Sequence, residues 1–437
     1  MSTKYFHTTG RNGWAVFALI ALCLLGCSGV SQSSVANNNQ PSNSNAGNPA
    51  MDEQQNKEPG GKVDPRLATA NTRFGFKLFA EVANQGAGKN ILVSPASVSL
   101  CLAMAYNGAE AETKQAMAAA LEIQGISLDE LNRAYADLKA ALENPDPKVQ
   151  LQIANSLWAR RGLTFKPDFI QRSKQYFGAE VTDLNFDDPG APAVINRWVS
   201  DKTKGKIDKI VDQIGPDSIL FLINAIYFKG AWAKEFDKAK TKEDTFTLAS
   251  GAQKRLPMMT QSGSYKYYEG SGFQAVSLPY GGGRASMYVF LPSKNSSLSG
   301  FQKGLTEAAW ESWMKEFRET EGDVSLPRFK VEYEVTLNDA LKALGMSAAF
   351  DERRANFRGM IESGGNVFIS QVKHKTFAEV NEEGTEAAAV TSTEMRATSA
   401  MRPRQRFSMV VDRPFFCAIR DNTTGTVLFM GSITDPQ

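Results

Sequence analysis

The chain has 437 residues, 42% of them hydrophobic, enough to bury a sizeable core in one large domain or two modest ones. Its 49 basic and 47 acidic residues leave a net charge of +2 with the signs interleaved, so nothing points to a nucleic-acid partner. Two histidines and four cysteines leave little material for metal or nucleophile chemistry, and no HExxH, CxxC, Walker loop or GxSxG elbow occurs.

At the N-terminus, Lys4 and Arg11 precede an apolar run from Trp14 to Leu25. That run is too short to span a bilayer comfortably and has the form of a signal-peptide core. It closes on Leu24-Leu25-Gly26-Cys27, which resembles the lipobox of bacterial lipoproteins. The resemblance implies that residues 1–26 are a lipoprotein signal peptide and that Cys27 is lipidated, tying the protein to the membrane. A plain signal peptide cut nearby and a retained anchor helix are the alternatives. Localisation follows: exported and lipid-anchored to the bacterial cell envelope (outer membrane or cell surface), or periplasmic or extracellular. Ser28 after Cys27 carries no inner-membrane retention signal of the typical Gram-negative kind. From Ser28 to about Gly61 the chain is rich in Ser, Asn, Gln, Gly and Pro and nearly lacks large apolar residues. Such a stretch cannot bury enough surface to fold, so residues 27–63 are expected to be a flexible tether with a typical span of roughly 30–35 Å. Of the remaining cysteines, Cys101 and Cys417 both sit in apolar runs and are expected as buried free thiols, although export leaves a disulfide open.

The folded domain is expected over residues 64–437. Apolar residues at helical spacing predict a first helix from Asp64 to about Val82. A short apolar strand then meets Ser94-Pro95, and a long helix runs to Tyr106, apolar on all sides and therefore a core helix. Gln150–Phe186 alternates strand, turn, helix and strand; INRWVSDKTKGKIDKIV is helical to Gly205. Ile219–Phe228 is continuously apolar, the pattern of a strand buried on both faces. Between Thr245 and Pro292 the segments FTL, LPMMTQSG, YKYYE, FQAVSLPY and SMYVFLP predict strands and hairpins. Gly281–Arg284 (GGGR) is a hairpin turn rather than a phosphate cradle, because no helix follows it. TLNDALKALGMSAAFD predicts a helix ending at Gly345, and Asn366–Val380 alternates as a long strand.

That strand delivers the chain into Val380–Arg406. Read as a strand from Thr385, its odd positions Thr385, Ala387, Ala389, Thr391, Thr393, Met395 and Ala397 are all uncharged. The charges Glu386, Glu394 and Arg396 fall on the other face. One face is therefore fit for burial, where an unpaired charge would cost several kcal/mol. On composition alone, an Ala-rich helical turn is the favoured reading of EAAAV.

EVNEEGTEAAA resembles the proximal hinge of the reactive-centre loop of serpins, and Val411–Pro436 resembles their C-terminal strands. NAIYFKGAW (Asn224–Trp232), NxWVxxxTxGKI and LPxFK (Leu326–Lys330) are similar to further serpin signatures, so the resemblance covers about residues 65–436. It implies an α+β serpin fold, three β-sheets with about eight to nine helices and an exposed reactive-centre loop. Implied hinge residues are Glu382, Glu383, Gly384, Thr385, Glu386, Ala387, Ala388 and Ala389. Ser94, Ser97, Asn155 and His374 fall where serpins carry the polar residues of the shutter, at which the main sheet opens; capping is the simpler reading of Ser94 and Ser97. For His374 a hydrogen-bonded core residue is the first reading and a pH-sensitive latch the second.

The implied activity is irreversible suicide-substrate inhibition of serine proteases, with cysteine proteases as a further target class, by loop cleavage and insertion. No catalysis and no cofactor are implied. Counting from Gly384 puts the cleaved bond at Thr398-Ser399, suited to elastase-like or subtilisin-like enzymes. Arg396-Ala397 is the alternative, suited to trypsin-like ones, while Arg402-Pro403 is disfavoured by its proline. The partner is the target protease, and the protein is expected as a monomer. Two other classes compete: a non-inhibitory serpin-fold lipoprotein serving as carrier or structural protein, and an exported hydrolase, for which no triad is visible.

Overall fold

A computed structural model describes residues 62–86, 88–143, 146–363, 366–385 and 406–437. Among these residues there are three sheets, of nine, six and two strands, and nine α-helices. Helix α1 (Pro65–Gln85) starts where the sequence predicts and runs a little further. Asp64 is its N-cap, accepting from the backbone N of Arg66 at 2.8 Å, and Pro65 takes the first turn, where its missing N–H costs nothing. Helix α2 (Pro95–Tyr106) is buried along its whole length, as expected of a helix with apolar residues on all sides.

The six-stranded sheet positions the site. In chain order its strands are β1 (Val149–Arg160), β2 (Glu180–Leu184), β3 (Leu220–Ala231), β4 (Phe329–Thr336), β5 (Gln371–Val380) and β6 (Gly384–Thr385). In space they run β4-β5-β6-β3-β1-β2, with β5 also pairing β3 directly. Strand β3 is apolar on both faces because both are covered. Behind it lies α2, within the main core. In front lies a smaller, separate core: Phe221, Ile223, Ala225 and Tyr227 of β3 with Phe377 of β5 meet Ile195 and Val199 of helix α3 (Ala191–Lys202), and Ile207, Ile210 and Val211 just after it.

Four expectations change in the fold. LPMMTQSG and YKYYE form one strand, Gln253–Gly270, because Arg318–Pro327 pairs across the Ser262-Gly263-Ser264 joint and carries the ladder through it. The strand expected from Asn366 begins only at Gln371. Upstream, the chain is tied elsewhere: Ile369 N donates to Ala349 O, and Ser370 Oγ accepts from Ile219 N at 2.8 Å. The helix expected to end at Gly345 is regular only over Asn338–Leu341; a wider turn follows, and Gly345 sits in it at φ +102, a conformation L side chains rarely adopt. The helix after Ala191 stops at Lys202, before Gly205. The hairpin turn at Gly281–Arg284 joins two paired strands, Phe273–Tyr280 and Ala285–Pro292, as expected. Cys101 and Cys417 are buried and free, and burial pushes both thiols up, Cys417 to about 12, so neither is a reactive thiolate.

Candidate functional site

The site is the seam between β3 and β5. Along its lower part the two strands pair in parallel, Phe221–Tyr227 against Gln371–Phe377, with His374 beside Asn224. Residues alternate across the sheet, so these two side chains point back toward the start of α2. There Asn224 is the hub of a buried cluster. Its amide nitrogen donates to Asn155 Oδ1 at 2.6 Å, Ser97 Oγ at 2.6 Å and Ser97 O at 3.1 Å. His374 Nδ1 lies 2.6 Å from Asn224 Oδ1, while the backbone N of Ser94 donates to Nε2 at 3.0 Å. One ring nitrogen thus donates and the other accepts, which is the neutral imidazole. Complete burial lowers its pKa to about 3, because a charged ring would have no water around it. Asn155 Nδ2 is buried without a partner among the described residues.

The structure therefore brings Ser94, Ser97, Asn155 and His374 together. Ser94 Oγ also caps α2, accepting from Ser97 N at 3.4 Å, so the capping reading holds alongside the cluster. Asn224 is the residue sequence reasoning missed. It lay inside NAIYFKGAW, where it served only to mark the fold; a lone Asn in an otherwise apolar, doubly buried strand was the available signal, since such a group needs partners.

At its upper end the seam opens. Val380 and Gly230 are no longer direct neighbours: Thr385 lies between them, paired antiparallel to both, and Gly384 pairs with Ala231. The chain reaches this gap through a tight turn in which Asn381 Oδ1 accepts from the backbone N of Glu383 at 3.0 Å and of Gly384 at 3.3 Å. Gly384 has φ +150, and a Cβ there would stand 2.0 Å from Gly230 O, so only glycine fits. Thr385 is fully buried, its hydroxyl 2.7 Å from that of Tyr280.

Side chains around the gap hold the turn. Trp232 stacks on Tyr280 with centroids 4.4 Å apart and donates from Nε1 to Asn381 O at 2.9 Å. Its backbone N and that of Phe236 bind the carbonyls of Glu383 and Glu382. The Glu382 carboxylate, 2% exposed, accepts from Arg328 Nε at 2.8 Å and Thr241 Oγ1 at 2.6 Å. Burial alone would raise the Glu382 pKa; the hydrogen bonds from Arg328 and Thr241 outweigh it and hold the group below the ordinary carboxylate value. Glu383 faces outward to Lys238. Trp232, Tyr280 and Arg328 were thus core or motif residues to the sequence and are gap-holding residues in the fold.

Four of the implied hinge residues, Glu382 to Thr385, lie in this turn and gap. Glu386, Ala387, Ala388 and Ala389, both reactive-bond candidates (Thr398-Ser399 and Arg396-Ala397), and Cys27 lie outside the described residues.

The family model "Serpin (serine protease inhibitor)" matches residues 69–436. Serpin B8 of Homo sapiens is 35% identical over 378 residues, covering 85% of this chain and 99% of that protein. The leukocyte elastase inhibitor of Homo sapiens is 33% identical over 385 residues, covering 85% and 100%. Among solved structures, the thermophilic serpin tengpin in its native state aligns with a TM-score of 0.80 at 34% identity, over 86% of this chain and 96% of that one.

Proposed function

This chain belongs to the serpin family, and from that premise we propose that it is a suicide-substrate inhibitor of serine proteases. The observation that carries the proposal is the half-open seam, with Gly384–Thr385 already seated as a stub of strand between β3 and β5. Addition of a serpin's own reactive loop to its main sheet is an established form of strand addition. We take its register here from a continuation of the two ladders. Each step along the loop moves one residue down β3 and β5, so Thr391 arrives between Asn224 and His374, and Met395 reaches Leu220 at the far end of β3.

In that register every odd residue from Thr385 to Met395 shares the buried side of Thr385. Thr391 displaces the His374–Asn224 contact but brings a hydroxyl that can bond both. Glu386 and Glu394 stay on the other face. The parallel β3–β5 ladder is exchanged for antiparallel pairing on both sides, which is slightly more stable per residue, and each added backbone bond contributes about 0.5–1.5 kcal/mol net.

The protease serine oxygen would attack the Thr398 carbonyl carbon; the bond to Ser399 breaks, its amine leaves with the released peptide, and Thr398 remains as an ester on the enzyme. Insertion through Met395 then draws the enzyme to the far end of the sheet before water completes hydrolysis. A small hydroxylated residue at the cleaved bond suits elastase-like or subtilisin-like enzymes. Leukocyte elastase inhibitor, by its name, acts on such a target, which supports the choice. Lipid on Cys27 with the following tether would hold the domain clear of a cell-envelope membrane while a protease approaches; loss of detergent-phase partition in Cys27→Ser tests that anchor.

The test of the inhibitory reading mixes the protein with an elastase-like and a trypsin-like protease. An SDS-stable complex, with a released peptide beginning at Ser399, is expected. A peptide beginning at Ala397 would move the reactive residue to Arg396. Cleavage by every protease tried, with no complex and no gain in heat stability, would overturn inhibition.

A further inference from the structure

Away from the seam, a groove of about 1340 Å³ runs along one side of α1, between that helix and the helix Leu298–Lys303. Its volume is ample for a lipid-sized ligand. Its lining includes the buried apolar side chains Phe76 and Phe79 of α1 and Leu298 and Leu305. Ala80 of α1 is exposed and lines the groove with a small side chain.

The charges around it are unequally satisfied. Arg73 is paired with Glu307, Lys77 with Glu122, and Arg413 with Asp412. Lys89, Lys294 and Lys303 line the same groove, are exposed, and have no ion pair or side-chain hydrogen bond among the described residues. An apolar trough rimmed by unpaired cations selects a ligand with a hydrocarbon body and an anionic head. Burial of the body supplies affinity and the rim supplies the sign of the charge.

We propose that this groove binds a long-chain fatty acid, its acyl chain along Phe76, Phe79, Leu298 and Leu305 and its carboxylate among Lys89, Lys294 and Lys303. A carboxylate is preferred to an ammonium because three unpaired lysines would repel a cation. Chain length matters because each buried methylene strengthens binding by about fourfold. The site shares no residue with the seam or the hinge, so it stands independently of the inhibitory reading.

Calorimetric titration of the full chain with palmitate, octanoate and dodecylamine, each kept below its aggregation concentration, tests this. Saturable one-to-one binding of palmitate is expected, with octanoate weaker by more than about tenfold and dodecylamine not bound. Ala80→Trp, which fills the trough at an exposed position, and the combined Lys89→Gln, Lys294→Gln, Lys303→Gln variant should each weaken palmitate at least about tenfold. Protease-complex yield should not move in either variant. Absence of saturable palmitate binding, equal binding of acid and amine, or unchanged affinity in both variants would each overturn the proposal.

Discussion

The two ends of the β3–β5 seam use opposite devices. At the lower end the strands are in direct parallel contact, and a buried polar cluster centred on Asn224 ties them to α2. At the upper end they are held apart by a two-residue stub, with the approaching turn fixed by Trp232, Asn381 and the Glu382–Arg328 pair. The lower end is closed by interactions that an incoming strand must replace. The upper end is open by geometry that an incoming strand only has to continue. In the proposed insertion the strand would therefore enter at the open upper end and reach the closed lower end last.

The upper end breaks most severely at Gly384. Replacing it with valine puts a side chain against Gly230 O and Ala231 Cα, so the stub must leave the gap. The expected result is a protein cleaved at the loop as readily as before, with complex yield down by at least about tenfold, the ratio that 1.4 kcal/mol supplies. Denaturing gels give both quantities.

Breaking the lower end costs native stability instead. Asn224→Ala leaves His374 Nδ1–H and the Ser97 and Asn155 oxygens buried without their partner, and should lower unfolding free energy by about 3 kcal/mol in denaturant titrations.

Acid sharpens the same contrast more gently. His374 is neutral when folded, with its pKa lowered to about 3 by burial, so the folded state binds fewer protons than the unfolded chain. Its contribution is complete above about pH 6.5 and is lost as pH falls toward about 3, at up to about 1.4 kcal/mol per unit. Denaturant titrations at pH 7.5 and 5.5 should show this loss, and His374→Gln should remove that part of the slope.

Much of this was legible in the chain. The buried α2 and the doubly buried β3 follow from their apolar patterns, while the uncharged odd face beyond Thr385 lies outside the described residues. Gly384 could be singled out as a hinge, but its close approach to Gly230 could not, because the two are distant in sequence. Asn224 was hidden for the same reason: its partners come from three other elements, and only folding makes it a hub. The merged strand Gln253–Gly270 and the late start of β5 show tertiary pairing overruling local pattern. Ser262-Gly263-Ser264 has the composition of a turn, yet a neighbouring strand holds it extended.

The proposed register brings Thr391 to the His374–Asn224 level on the buried face and Ser392 beside Lys373 on the other. Its most direct test compares Thr391→Glu with Ser392→Glu in complex formation with a protease that the unaltered protein traps. Thr391→Glu puts a carboxylate beside the fully buried Asn224 and His374, at a cost of several kcal/mol, whereas Ser392→Glu puts one between Ile223 and Lys373, where the lysine can pair with it. Thr391→Glu should be cleaved without forming a complex, while Ser392→Glu should form it at near the unaltered yield. Equal yields from the two variants, or a block at Ser392 alone, would contradict it.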